Sequence, residues 1–231
     1  MTRHRRHLLA LALGAASVIA LSACATPPAT PAAADAPPGH SLGSLSPAPP
    51  EGEVIAQATV MDVDGTVELC LGAVAESYPP QCSGVPIANW SWDGVDGSET
   101  SGKATWGTYA VQGTYDGEKF TVTKPPIMLA LYDPMPFPDP TGGKAGAGDD
   151  ATLTGIQDEL PGILGDGYLA SSPENGWLLV DVVWDDGTWQ DAANADYGTG
   201  VVAIRSALHP VGEQVGPSGQ SSTGAAPGNR T

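Results

Sequence analysis

Basic residues are scarce in this chain: 9 Lys and Arg stand against 26 Asp and Glu in 231 residues, a formal charge of −17. No Lys/Arg cluster lies outside the first six residues. Such a surface repels phosphate backbones and anionic head groups, which argues against nucleic-acid binding. Histidine is nearly as rare. Of the 4 present, only His40 and His209 fall beyond the first two dozen residues. A Ser-His-Asp or Cys-His arrangement would have to use His209, and zinc hydrolysis is short of nitrogen ligands. There are only 3 cysteines. Glycine has no period of three, no heptads run, and one apolar stretch alone approaches membrane length, so collagen, coiled-coil and multi-span classes do not apply. The pattern implies no cofactor.

That one apolar stretch opens the chain. Arg3, Arg5 and Arg6 precede a run from Leu8 to Ile19, and Leu21-Ser22-Ala23-Cys24 follows. A charged start, a core too short to span a bilayer as a mature helix, and small residues at the end make 1–23 a secretory signal peptide. The Leu-Ser-Ala-Cys ending resembles the lipobox of bacterial lipoproteins. The resemblance implies a diacylglyceryl thioether on Cys24 after cleavage, with palmitate-type chains, and so a cell-membrane protein anchored at the extracytoplasmic face. Several acyl chains, at about 0.8 kcal/mol per buried CH₂, suffice for lasting attachment. Cleavage removes three arginines and no acid, leaving a mature charge of −20. Attraction between charges cannot hold such a chain at an anionic membrane, which leaves the lipid to do so.

Residues 24–53 read as the lipidated cysteine and a tether. Within 25–50 there are 8 Pro and 7 Ala and no apolar periodicity, a composition that extends at about 3.1 Å per residue. Composition shifts again at 133–150, read as a linker, and at 212–231, read as a disordered tail. Two foldable segments remain, and the expected class is α+β. The segment 54–132 is expected to be a small antiparallel β domain, a barrel or sandwich, with a barrel of the oligonucleotide/oligosaccharide-binding type as one shape. Asp64-Gly65 and Asp116-Gly117 each sit between strand-like runs and predict two-residue hairpin turns. The segment 151–211 is expected to be a small two-layer α/β domain. Leu153, Ile156 and Leu160 recur at helical spacing up to Pro161. WLLVDVVW (177–184) and VVAIRSAL (201–208) read as strands, and Thr188 with Asp191 as a capping box opening a helix between them.

With Cys24 taken by lipid, Cys70 and Cys82 are left in an exported chain, and a disulfide is the economical reading. Eleven residues separate them and no histidine lies nearby, which argues against a redox pair or a zinc site. Closing the loop stabilises by up to about 3 kcal/mol in the chain-entropy treatment. Leu69-Cys70-Leu71-Gly72-Ala73-Val74, Ser77-Tyr78-Pro79-Pro80-Gln81-Cys82, the Trp90-Ser91-Trp92-Asp93 run, Trp106-Gly107 and DDGTWQDAANADYGTGVV together resemble a family of actinobacterial exported lipoproteins without an established activity. That likeness supports the segment limits and the disulfide and implies no chemistry.

Val60-Met61-Asp62-Val63-Asp64-Gly65-Thr66 resembles the first motif of haloacid-dehalogenase-like phosphatases, which implies Asp62 as nucleophile and Asp64 as general acid with a metal ion nearby. Those enzymes continue into a helix, whereas TVELCLGAV is strand-like, so the favoured reading is a hairpin turn. A metal-dependent phosphatase is the alternative. Carboxylate-only glycoside chemistry has no specific signal here. Trp90 and Trp92, two apart, would share a face of a strand, and Trp106 or Tyr78 would complete an aromatic platform for a glycan or peptide; core filling is the competing reading. Asp93, Asp96 and Glu99 form an acidic loop without the full pattern of a calcium site. Finally, Asp181 and Arg205 each interrupt an apolar strand face, and an ion pair across adjacent strands would satisfy both, with a cost of roughly 3–5 kcal/mol for removing one partner if the pair is buried. The sequence thus favours a non-enzymatic binding or interaction module, with an envelope protein or glycan as ligand.

Because the tether separates the anchor from the folded part, Cys24→Ala is expected to move the protein from the membrane to the soluble fraction without changing its thermal unfolding. Fractionation with a parallel melt checks both halves.

Overall fold

The computed structural model describes residues 41–82, 84–133 and 139–212. The expected signal peptide, Cys24, residues 25–40 and the tail from 213 onward lie outside the described residues. The first segment is built of β1 (Val54–Val63), β2 (Thr66–Cys70), β3 (Val85–Ala88), β4 (Glu99–Ser101), β5 (Ala104–Tyr115), β6 (Phe120–Val122) and β7 (Ile127–Met128). β1 pairs antiparallel with β2 on one side and β5 on the other. β2 pairs with β3, β3 runs parallel to β6, and β6 returns to β5. The ring β1-β2-β3-β6-β5 therefore closes into a five-stranded barrel, with β4 and β7 added on β5.

Alternation along the strands fills the barrel. Val54, Ala56, Ala58 and Val60 of β1 point inward with Tyr109 and Val111 of β5, Leu69, Val85 and Phe120. Gly107 faces Val60 across the ladder. A Cβ there would lie 2.4 Å from Tyr109 Oη, so the bare backbone gives the fully buried tyrosine its room. The β1–β2 turn is the one expected: Asp64 and Gly65 take φ of 57° and 88°, as a type I′ hairpin requires. The second turn differs. Four residues, 116–119, join β5 to β6, and the Asp116 carboxylate accepts from Glu118 N at 3.0 Å and Lys119 N at 2.7 Å. A carboxylate that satisfies two backbone donors favours this longer turn over a two-residue one.

The second segment contributes α1 (Asp150–Leu164), β8 (Tyr168–Glu174), β9 (Trp177–Val182), α2 (Thr188–Tyr197), β10 (Val202–Ser206) and β11 (His209–Pro210). Its sheet has the order β10-β9-β8, with β9 and β10 parallel and β8 antiparallel. Leu178, Val180, Val182 and Val202 pack one face against Leu153, Ile156, Leu160 and Leu164 of α1 and against Trp189, Ala192 and Ala193 of α2. The expected α-β-α-β order thus gains a strand, β8, joined to β9 through Asn175-Gly176 with φ of 48° and 80°. α1 continues through Pro161 to Leu164, because a proline in the last turn forfeits one hydrogen bond and the chain caps on its carbonyl, which accepts from Gly165 N. α2 is not opened by a Thr188–Asp191 box. Asp185 accepts from Trp189 N at 2.9 Å and from Gln190 N at 3.2 Å, and Gly187 holds the cap position at φ 103°.

Two expected boundaries move. Residues 41–50, assigned to the tether, form a strap against the helices. Leu42 is fully buried between α1 and α2, and its N donates to Asp196 Oδ2 at 2.7 Å. Trp189 Nε1 donates to Leu45 O and Trp184 Nε1 to Ala48 O, each at 2.9 Å. Proline-rich composition signals extension, and an extended strap is what these donors receive. Likewise, residues 146–148 of the expected linker bond to Asn175, Gly176 and Gly200. The described residues fall in a single compact unit: β11 pairs with β1, and Val183 and Leu208 enter the barrel core.

Gln190 closes the outer edge of β10. Its Nε2 donates to Val202 O at 3.0 Å and its Oε1 accepts from Ile204 N at 2.8 Å, as a neighbouring strand would. Gln190→Ala is expected to destabilise by about 1–2 kcal/mol, since two partly buried backbone groups lose partners. Urea denaturation of both proteins, compared at equal m-value, measures it.

Candidate functional site

Asp62 and Asp64 sit on the β1–β2 hairpin. Asp62 Oδ1 accepts from Gly65 N at 2.9 Å and Oδ2 from Trp92 Nε1 at 3.0 Å. Asp64 pairs with Lys103 in the open, with side chains 65% and 75% exposed. Asp62 is thereby a turn acceptor and an anchor for an indole, and the chain turns into β2 where a phosphatase would enter a helix.

The three tryptophans chosen from the sequence do not share one surface. Trp90 and Trp92 lie in the irregular stretch after β3, edge to face at 5.1 Å, and both rest on Tyr109, at 5.5 and 6.3 Å. They close one part of the barrel core. Trp106 is on the other side of the barrel wall, buried with Met61, Cys70 and Ala104, and Tyr78 meets it edge-on at 5.4 Å. Cys70 and Cys82 are paired beneath it, Cα atoms 5.9 Å apart. Strand alternation separates these groups: Trp106 and Tyr109 are an odd number of residues apart on β5 and point to opposite faces. Asp93, Asp96 and Glu99 are all exposed, and among the described residues no group of three His, Cys, Asp or Glu is arranged to hold a metal ion.

A broad concavity lies elsewhere, on the face of β8–β10 turned away from the helices. It is a cleft of about 1130 Å³. Its floor carries Trp177, Leu179 and Asp181 from β9 and Arg205 from β10, and its walls come from the loop 139–144, from Asp185 and Asp186, and from Gln57, Leu71 and His209 at the barrel. Local chemistry builds each wall. Asp139 accepts from Thr141 N, Thr141 Oγ1 and Gly143 N at 2.7–2.8 Å, folding the loop on itself. Those bonds, the Thr141 hydroxyl's first among them, hold the Asp139 carboxyl below its ordinary pKa. Thr188 does the same for Asp186. Burial pushes Asp185 up despite the helix N–H groups it caps, and burial pushes His209 down.

At the centre, Arg205 Nε donates to Asp181 Oδ1 at 2.8 Å and Nη2 to Oδ2 at 2.9 Å. This is the cross-strand pair expected from the sequence, in the bidentate geometry that suits a guanidinium. The expected burial is not found, since the side chains are 38% and 37% exposed. The cleft keeps them wet. Signals for this site existed in WLLVDVVW and VVAIRSAL, but the cleft itself joins residues from Gln57 to Pro210, a juxtaposition that only the tertiary fold creates.

With solvent screening the pair, Arg205→Ala is expected to cost about 1 kcal/mol and not 3–5, and a double-mutant cycle with Asp181→Ala should return a coupling of about 0.5–1 kcal/mol. Chemical denaturation of the four proteins supplies the cycle. Comparison of the chain with protein-family models, with curated proteins and with solved structures finds no match.

Proposed function

We propose that this chain is an exported lipoprotein, anchored through Cys24 at the outer face of the cytoplasmic membrane, and that it acts there as a non-enzymatic binding module. The Leu-Ser-Ala-Cys ending, which resembles the lipobox of bacterial lipoproteins, supports the anchorage. The observation that carries the binding reading is the cleft over β8–β10. It combines apolar side chains, two indoles and an ion pair held on strands, as ligand sites do. Several of its charged groups are also engaged within the protein: Asp181 holds Arg205, Asp185 caps α2, and Asp139 folds its loop. Groups so engaged fix a surface for contact more readily than they pass protons. In this reading the barrel is a rigid support and the α/β layer presents the ligand surface, each corresponding to one of the two segments distinguished in the sequence.

Asp62 decides between binding and phosphatase chemistry. The purified chain with Mg²⁺ and a phosphomonoester is expected to show no turnover above that of Asp62→Asn. Turnover abolished by that change would overturn the binding-module reading in favour of the phosphatase.

A further inference from the structure

The charge and dimensions of the cleft narrow its ligand. We propose that it takes an extended cationic peptide segment, a stretch of lysine or arginine side chains on a partner protein; this rests on the binding-module reading above and names the ligand of that same site. Within the cleft, Asp181 and Arg205 cancel. What remains is Asp139, Glu174, Asp185 and Asp186 against Lys144, an excess of acid that persists in a chain of charge −17. Field lines from such a chain draw cations toward it and turn anions away.

The indoles add the second element. Trp177 Nε1 donates to Lys144 O at 2.8 Å and Trp184 Nε1 to Ala48 O at 2.9 Å. With their N–H groups held by the protein, the half-buried rings offer the cleft aromatic surface rather than donors, and aromatic surface beside carboxylates is the setting in which guanidinium and ammonium groups are held.

Spacing gives the length. Trp177 opens β9 and Trp184 lies two residues beyond its end, so the strand between the two indoles, Trp177–Val182, is roughly 17 Å long at about 3.3 Å per residue. A small amine cannot reach both. An extended segment of about seven residues can, because its alternate side chains fall on one face at the same pitch as β9.

The test uses the exported chain carrying Cys24→Ala, so that no acyl chain competes, and follows tryptophan fluorescence and calorimetry. Four probes are compared: a peptide of about seven residues alternating Lys or Arg with Ser, the same peptide with Glu for the cations, an all-Ser version, and a neutral β-linked N-acetylglucosamine oligomer. Binding is expected for the cationic peptide alone. Raising salt from about 0.05 to about 0.5 M should weaken it at least tenfold. Glu174→Gln should weaken it about threefold to tenfold, and Trp177→Leu by at least as much. Glu99→Gln, on β4 at the far end of β1 from β11, removes the same charge and should leave affinity unchanged. Preferential binding of the oligosaccharide or of the acidic or neutral peptide, lost in Trp177→Leu, would overturn the cationic ligand while leaving the cleft as the binding site. Cationic binding indifferent to Glu174→Gln and Trp177→Leu, or no binding by any probe, would overturn the proposal and remove its support for the cleft.

Discussion

β1 is the strand on which the remaining architecture depends. It is paired along its whole length with β5, over its second half with β2, and at its start with β11. The first two pairings close the barrel and the third attaches the α/β layer to it. A ten-residue strand fully paired with β5 also has its register fixed with little freedom, since a slip by one residue would turn Val54, Ala56, Ala58 and Val60 out of the core together. Through β11 the same strand sets one wall of the cleft, so the position of His209 and Gln57 relative to β9 follows from barrel register.

A second theme is the use made of the surplus acid. Asp62, Asp116, Asp139, Asp149, Asp185 and Asp186 each accept from a backbone N–H, shaping turns and opening both helices. Short carboxylates are suited to this because they reach the main chain two to five residues away. For Asp116 and Asp149 these bonds, and for Asp139 and Asp186 the Thr141 and Thr188 hydroxyls ahead of them, hold the carboxyl below its ordinary value. Their contribution is therefore present above the unfolded pKa, about 3.8, and fades only as pH falls through the lower folded values. A chain with few lysines thus puts its carboxylates to local structural use without needing a cation for each.

What could be read from the sequence was local. The Asp64-Gly65 turn, the β9 and β10 strands and the Asp181–Arg205 pair all follow from alternation or turn chemistry within a few residues, and the structure contains them. Asn175-Gly176 carried an equal hairpin signal, obscured because β8 ahead of it reads YLASSPE, with weak alternation and a proline. The strap was illegible for a different reason: its partners, Trp184, Trp189 and Asp196, are 136 to 154 residues away. Long separation also hid the cleft, whereas strand alternation parted Trp106 from Trp90 and Trp92, which spacing alone had grouped.

The strap also changes the mechanics of attachment. On the proposed anchorage, residues 25–40 link the lipid to the first docked residues, a shorter link than the 25–50 of the expected tether. A pull on the lipid would then be taken first where Leu42 sits between α1 and α2 and where Asp196, Leu45 and Ala48 hold the strap. These attachments lie close together along the chain. The barrel would feel that force only after the strap had let go, whereas Trp184 and Asp186 in the cleft wall, both bonded to Ala48, would feel it directly.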